Sequence, residues 1–320
     1  MEHNRYAKCF LLVREELCTV VYCYDRSVEF EYSICSELEV EEITEDFCAK
    51  ISDELLDSFY IARDTGRSFV CFVDPLQSNR SFFDSPRFSE ADFEEIITAM
   101  GGKKIPEIST KTPDFICNGI VLELKDIQKE GLFDKERRKS IGKLFEPLRT
   151  HTVNLDPAVQ YDDITAKYHL LIRNTIQNQV KKASDQIKAF KENNEVKAAG
   201  IILLNTGMFS MPDTLFRSMV THILNHQTKT ITFAFVFSQV AQSNGFDTVA
   251  NFYSNFIGNV PEEIIELKKM VSKMIESKMT DIVLFGNQKL TVPSQHPISF
   301  LSNNKIFYWN PGQLVDSRRK

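Results

Sequence analysis

Residues 112–126 read TPDFICNGIVLELKD. Asn-Gly is the dipeptide best suited to a two-residue hairpin turn, because both central residues of a type I′ turn need positive φ. Here Asn118-Gly119 divides two apolar runs, 115–117 and 120–122. A hairpin closed at that point has a fixed register. Cys117 faces Ile120, Ile116 faces Val121, Phe115 faces Leu122, and Asp114 falls opposite Glu123. Alternation along a strand then puts Asp114, Glu123 and Lys125 on one face, with Leu122 and Leu124 on the other.

Directly opposed carboxylates carry Cβ atoms about 4.5–5.5 Å apart and repel each other. A divalent cation between them removes the repulsion. Mg²⁺ takes oxygen ligands and binds through one or two carboxylates, waters and substrate phosphates. It also generates a nucleophile from bound water and stabilises charge on a phosphorane-like transition state. Lys125 shares that face and is suited to orient or deprotonate the water, or to hold a phosphate. The plainer alternative is a salt-bridge triad on a solvated sheet face, with Lys125 serving both acids.

The surrounding pattern predicts a layered α/β or α+β domain. Ser89 reads as a helix N-cap with Asp92 three residues on, and Phe93, Ile96, Ile97 and Met100 make one apolar face that stops at Gly101-Gly102. Strands are expected near 104–109, 113–117 and 120–126. A long helix is expected over about 166–192 and a nearly all-apolar strand, KAAGIILLN, over 197–205. A helix near 212–226, a strand at 230–238 and a helix at 260–280 follow. DIVLFG, PISFLS and KIFYWN read as short strands. The expectation is a mixed central sheet flanked by helices.

With this order in view, the stretch resembles the PD-(D/E)XK, or restriction-endonuclease-like, nuclease superfamily. Pro113-Asp114 matches its PD, and Glu123-Leu124-Lys125 matches its (D/E)XK. The helix, three strands, helix, strand order suits that family's core over about 89–205, a third of the chain. The resemblance implies Asp114 and Glu123 as metal ligands, the Leu124 carbonyl as a further ligand, and Lys125 as the water-orienting residue. It also implies an acid from the preceding helix, for which Glu95 is favoured over Glu90 and Glu94, with Glu107 weaker. Gln186 or Lys182 on the long helix is implied too, although QIKAF has phenylalanine where some branches carry tyrosine. The implied cofactor is Mg²⁺, with Mn²⁺ substituting.

The N-terminal region differs in character. The chain holds 44 acidic and 38 basic side chains. Residues 1–100 contain 22 acidic and 9 basic, which leaves 22 and 29 for the remainder. Residues 6–36 alternate as in an antiparallel meander, 38–62 read as a helix, and SFVCFVDP as a strand. Residues 1–85 are therefore expected to form an acidic α+β region for partners or oligomerisation. Residues 86–320 are expected to form the nuclease-like domain with a C-terminal extension. The seven cysteines show no metal-binding spacing and suit reduced thiols in the cytoplasm. No segment approaches the apolar length of a membrane span.

The resulting expectation is a metal-dependent endonuclease acting on DNA, in restriction or anti-phage defence, with a homodimer or a protein partner engaged through the N-terminal region. The alternatives are a nuclease acting on RNA and a non-catalytic interaction protein that keeps the scaffold. The DKERRKS segment (134–140) is a candidate phosphate contact, and His222 with His226 a candidate metal pair.

Overall fold

The computed structural model describes residues 88–106, 112–150, 152–243, 248–285, 294–295, 298–303 and 305–309, with the backbone of four strands before residue 88. Those strands are β1 (Ala7–Arg14), β2 (Leu17–Tyr24), β3 (Phe59–Asp64) and β4 (Phe69–Val73). They form two antiparallel hairpins, β1 with β2 and β3 with β4. The helix expected over 38–62 lies outside the described residues except at 59–62, which belong to β3.

The chain then forms α1 (Glu90–Ala99), β5 (Lys103–Lys104), β6 (Phe115–Cys117) and β7 (Ile120–Ile127). Next come α2 (Lys135–Phe145), β8 (Thr152–Asn154), α3 (Asp162–Lys191), β9 (Ala198–Asn205) and α4 (Asp213–Gln227). The remaining elements are β10 (Phe233–Ser243), β11 (Thr248–Gly258), α5 (Glu262–Phe285), β12 (Ser294–Gln295), β13 (Ile298–Ser302) and β14 (Lys305–Trp309).

Two compact units result. One comprises 1–81, 132–168 and 296–315; the other comprises 82–131, 169–295 and 316–320. In the first, β13, β14 and β8 make a three-stranded sheet. Phe145 packs there against Tyr161, Tyr168 and Phe307 in edge-on contacts.

The second unit is a mixed α/β layer built on one sheet, ordered β11-β10-β9-β7-β6-β5, with β12 beside β10. β5, β6 and β7 pair antiparallel, β7, β9 and β10 run parallel, and β11 returns antiparallel. Ser89 caps α1 as expected. Its backbone N–H donates to Asp92 Oδ2 at 2.7 Å, and its hydroxyl accepts from the Asp92 amide. Asn118 (φ 51°) and Gly119 (φ 78°) form the turn between β6 and β7. β9 is buried from Ala199 onward, as a strand covered on both faces must be. Gly200 is required there, because a Cβ would stand 2.3 Å from the Phe233 ring.

One sheet face carries the apolar core. Phe93, Ile96 and Ile97 of α1 and Ile264, Leu267 and Val271 of α5 cover Phe115, Leu122, Ile202, Leu204, Phe233, Phe235 and Phe237. Lys278 of α5 pairs with Asp92 of α1 at 2.8 Å. Alternation sends Val121, Glu123 and Lys125 of β7 to the opposite face. α3 lies in the chain between the parallel neighbours β7 and β9, and carries a buried stripe of Ile172, Ile176, Val180, Ala183 and Ile187.

Three sequence expectations change here. DIVLFG is helical through Phe285, forming the end of α5 rather than a strand. β11 was not anticipated at all. The strand expected at 104–109 appears as Lys103–Lys104, and residues 107–111, Glu107 among them, lie outside the described set.

Candidate active site

The hairpin carries the register that Asn118-Gly119 dictates. Cys117 pairs with Ile120, Ile116 with Val121 and Phe115 with Leu122. One step further, Asp114 meets the end of the ladder. Its carbonyl accepts from the Ile105 amide at 2.8 Å, which fixes its backbone to the adjoining chain. Its side chain bends across to β7, where Oδ2 accepts from the Leu124 amide at 2.6 Å. The contact at Leu124 therefore runs through its amide.

Glu123 is completely buried, at 0% exposure. Its Oε1 accepts from Lys125 Nζ, and its Oε2 has no hydrogen-bond partner. Burial, and then the charge of Asp114, push the Glu123 carboxyl up to about 7, against the opposing pull of Lys125. Burial also raises Asp114, while the Leu124 amide and Lys125 pull it back. A charge pair held this way is costly: an unpaired buried polar atom is penalised unless something compensates it. A hard divalent cation takes carboxylate oxygens of this kind, so the residues present fit such an ion.

Gln186 reaches the same place from α3. Its Nε2 donates to the Thr112 carbonyl at 3.2 Å, two residues before Asp114. Lys182 is exposed on the same helix. The helix acids divide. Glu90 and Glu94 bracket Lys104 at 2.6 and 3.6 Å, and the charges of Glu90 and Lys104 both act on Asp114. Glu95 lines a groove with Met270, Lys273, Met274 and Ser277 of α5. The structure thus brings Asp114, Glu123 and Lys125 together at the hairpin, with Gln186 on the Thr112 carbonyl before it and Glu90, not Glu95, as the helix carboxylate whose charge reaches Asp114.

Lys104 escaped the sequence reading. Its signal was present, since it ends the strand that pairs with β6, opposite Phe115 and so next to Asp114.

The other sequence candidates are placed differently. In 134–140, Asp134 caps α2 by accepting from the Arg137 amide at 2.7 Å. Arg138 is buried, donates to the Leu132 carbonyl at 2.6 Å and sits over the Phe300 ring. Lys139 pairs with Glu136. His222 and His226 are exposed, with ring centroids 4.7 Å apart. Among the described residues, no group of three or more His, Cys, Asp or Glu side chains is gathered as for a metal. No helix among them is long and apolar enough to cross a membrane.

No protein-family model, curated protein or solved structure matches the chain.

Proposed function

We propose that this chain is a Mg²⁺-dependent nuclease of the PD-(D/E)XK kind, an endonuclease that hydrolyses phosphodiester bonds in DNA and serves restriction or anti-phage defence in the cytoplasm. The observation that carries the reading is the fully buried Glu123, whose Oε2 lacks a partner, beside the half-buried Asp114. The order α1, β5, β6, β7, α3, β9, with α2 and β8 inserted before α3, supports it further.

Asp114 and Glu123 would hold the cation, which when bound supplies charge for activating water and for stabilising the pentavalent phosphorus. The Leu124 amide holds Asp114 in place, so that its second oxygen can turn toward Glu123. Lys125, the ammonium beside Glu123 Oε1, is partly exposed and reaches from the buried acid toward solvent. In this reading it orients the attacking water and holds a non-bridging phosphate oxygen. Gln186 fixes the Thr112 segment that carries Pro113 and Asp114.

The experiment is incubation of plasmid DNA, single-stranded DNA and RNA with Mg²⁺, Mn²⁺ or chelator, comparing the native chain with Asp114→Ala and Lys125→Ala. Metal-dependent cleavage lost in both variants is expected. Cleavage that survives both substitutions removes the site. The Glu123–Lys125 ion pair also suits a non-catalytic scaffold, and that reading gains if the native chain neither cleaves nor binds metal.

A further inference from the structure

The two edges of the central sheet are built in opposite ways. β5, at one edge, is two residues long, and both are lysines. Shortness and lysine are ways in which an edge strand is kept from pairing with another chain. β11, at the other edge, is eleven residues long, TVANFYSNFIG, with no charge and no proline. Its register with β10 runs unbroken from Phe233↔Gly258 to Ser243↔Thr248, so no bulge turns the edge away. Among the described residues β11 pairs with β10 alone, which leaves its outer row of N–H and C=O groups without ladder partners. Tyr253 and Val249 are 42% and 40% exposed on this strand.

The sequence of β11 says what fits against it. One face carries Val249, Asn251, Tyr253, Asn255 and Ile257: aliphatic, amide, aromatic, amide, aliphatic. That order is the same in both directions. On the other face, reversal about Tyr253 sets Ala250 against Phe256 and Ser254 against Phe252, small against large. An antiparallel second copy therefore matches Val249 with Ile257, Asn251 with Asn255, and Tyr253 with itself. Aromatic and amide cross-strand pairs are favourable, and no like charges meet. A strand of unrelated sequence has no such match.

We propose that β11 is a homodimer interface, at which two copies pair edge to edge and antiparallel about a twofold axis through Tyr253. The contact is isologous and closes at two subunits. It continues the central sheet of one protomer into that of its partner, independently of what the Asp114 site does.

Sedimentation equilibrium of the full chain tests the state. The expected mass is twice 36.8 kDa. The double variant Asn251→Lys/Asn255→Lys sets lysine against lysine, and is expected to sediment as a monomer with an unchanged circular dichroism spectrum. Cysteine scanning tests the axis, since opposed positions lie within disulfide reach. Under mild oxidation Tyr253→Cys should form covalent dimers above the native background. Asn251→Cys alone should not, but it should cross-link to Asn255→Cys when the two are mixed. A native chain that is monomeric at its highest soluble concentration overturns the proposal. So does a dimer that survives the lysines, or cross-linking by Asn251→Cys and not by Tyr253→Cys. If the lysine variant fails to fold, the cysteine pattern decides.

Discussion

Replacing Glu123 by glutamine keeps the shape of the side chain and the acceptor for Lys125 but removes the buried charge. Without a divalent cation that charge is destabilising. The Glu123 carboxyl stands at about 7 in the folded chain against an ordinary 4.5. A group whose folded value lies above its unfolded value holds its proton more tightly when folded. Stability therefore falls as pH rises from about 4.5 to about 7, and the penalty is complete above that range. The separation corresponds to about 3 kcal/mol, a sizeable share of a typical domain's stability. Glu123→Gln should then be more stable than the native chain by about 3 kcal/mol at pH 8 in chelator. By pH 5 the native carboxyl is protonated in the fold, and the gap should close by about 2.5 kcal/mol. Urea unfolding of both proteins at the two pH values gives the comparison, with unchanged slopes showing that stability alone moved. A gap that is equal at both pH values, or a variant less stable at pH 8, refutes the claim that a carboxylate only partly offset by Lys125 is buried there.

Other outcomes follow from the same geometry. Mg²⁺ or Mn²⁺ should raise the melting temperature of the native chain, by an amount equivalent to about 2.7 kcal/mol at a hundred times the dissociation constant, and should leave Asp114→Ala unmoved in a thermal shift assay. Asp114→Ala also frees the Leu124 amide, a loss of about 1–3 kcal/mol that urea unfolding in chelator should register. Lys125→Ala should abolish cleavage yet bind Mn²⁺ more tightly by calorimetry, because the ammonium that now occupies Glu123 Oε1 is gone. Ser89→Ala removes the α1 cap and should cost about 1 kcal/mol without changing cation affinity.

The arrangement of the candidate residues was legible in the sequence because it is local. Asn118-Gly119 fixes the register of residues 115–122, and side-chain alternation extends it, so Asp114, Glu123 and Lys125 could be placed near one another by counting. Gln186 was reachable only through the QIKAF pattern that the resemblance supplies. Glu95 was not separable from Glu90 in this way, since choosing between them needs the angle at which α1 lies on the sheet. The Lys104–Glu90 pair depends on the same angle. β11 was missed because Asn251, Ser254 and Asn255 dilute its alternation and its partner strand is itself buried. DIVLFG reads as a strand by its β-branched residues, but Met274 and Ile275 already pack against the core about two turns earlier in the same helix. The parallel pairing of β8 with β14 joins residues about 150 positions apart, and neither short segment announces the other.

The measurement closest to the central claim is calorimetric titration of Mn²⁺ into the native chain, Asp114→Ala and Glu123→Gln at pH 8. A saturable site present in the native protein and lost in both variants is the predicted result. Equal binding by all three, or none by the native chain, would contradict a cation held between these two carboxylates.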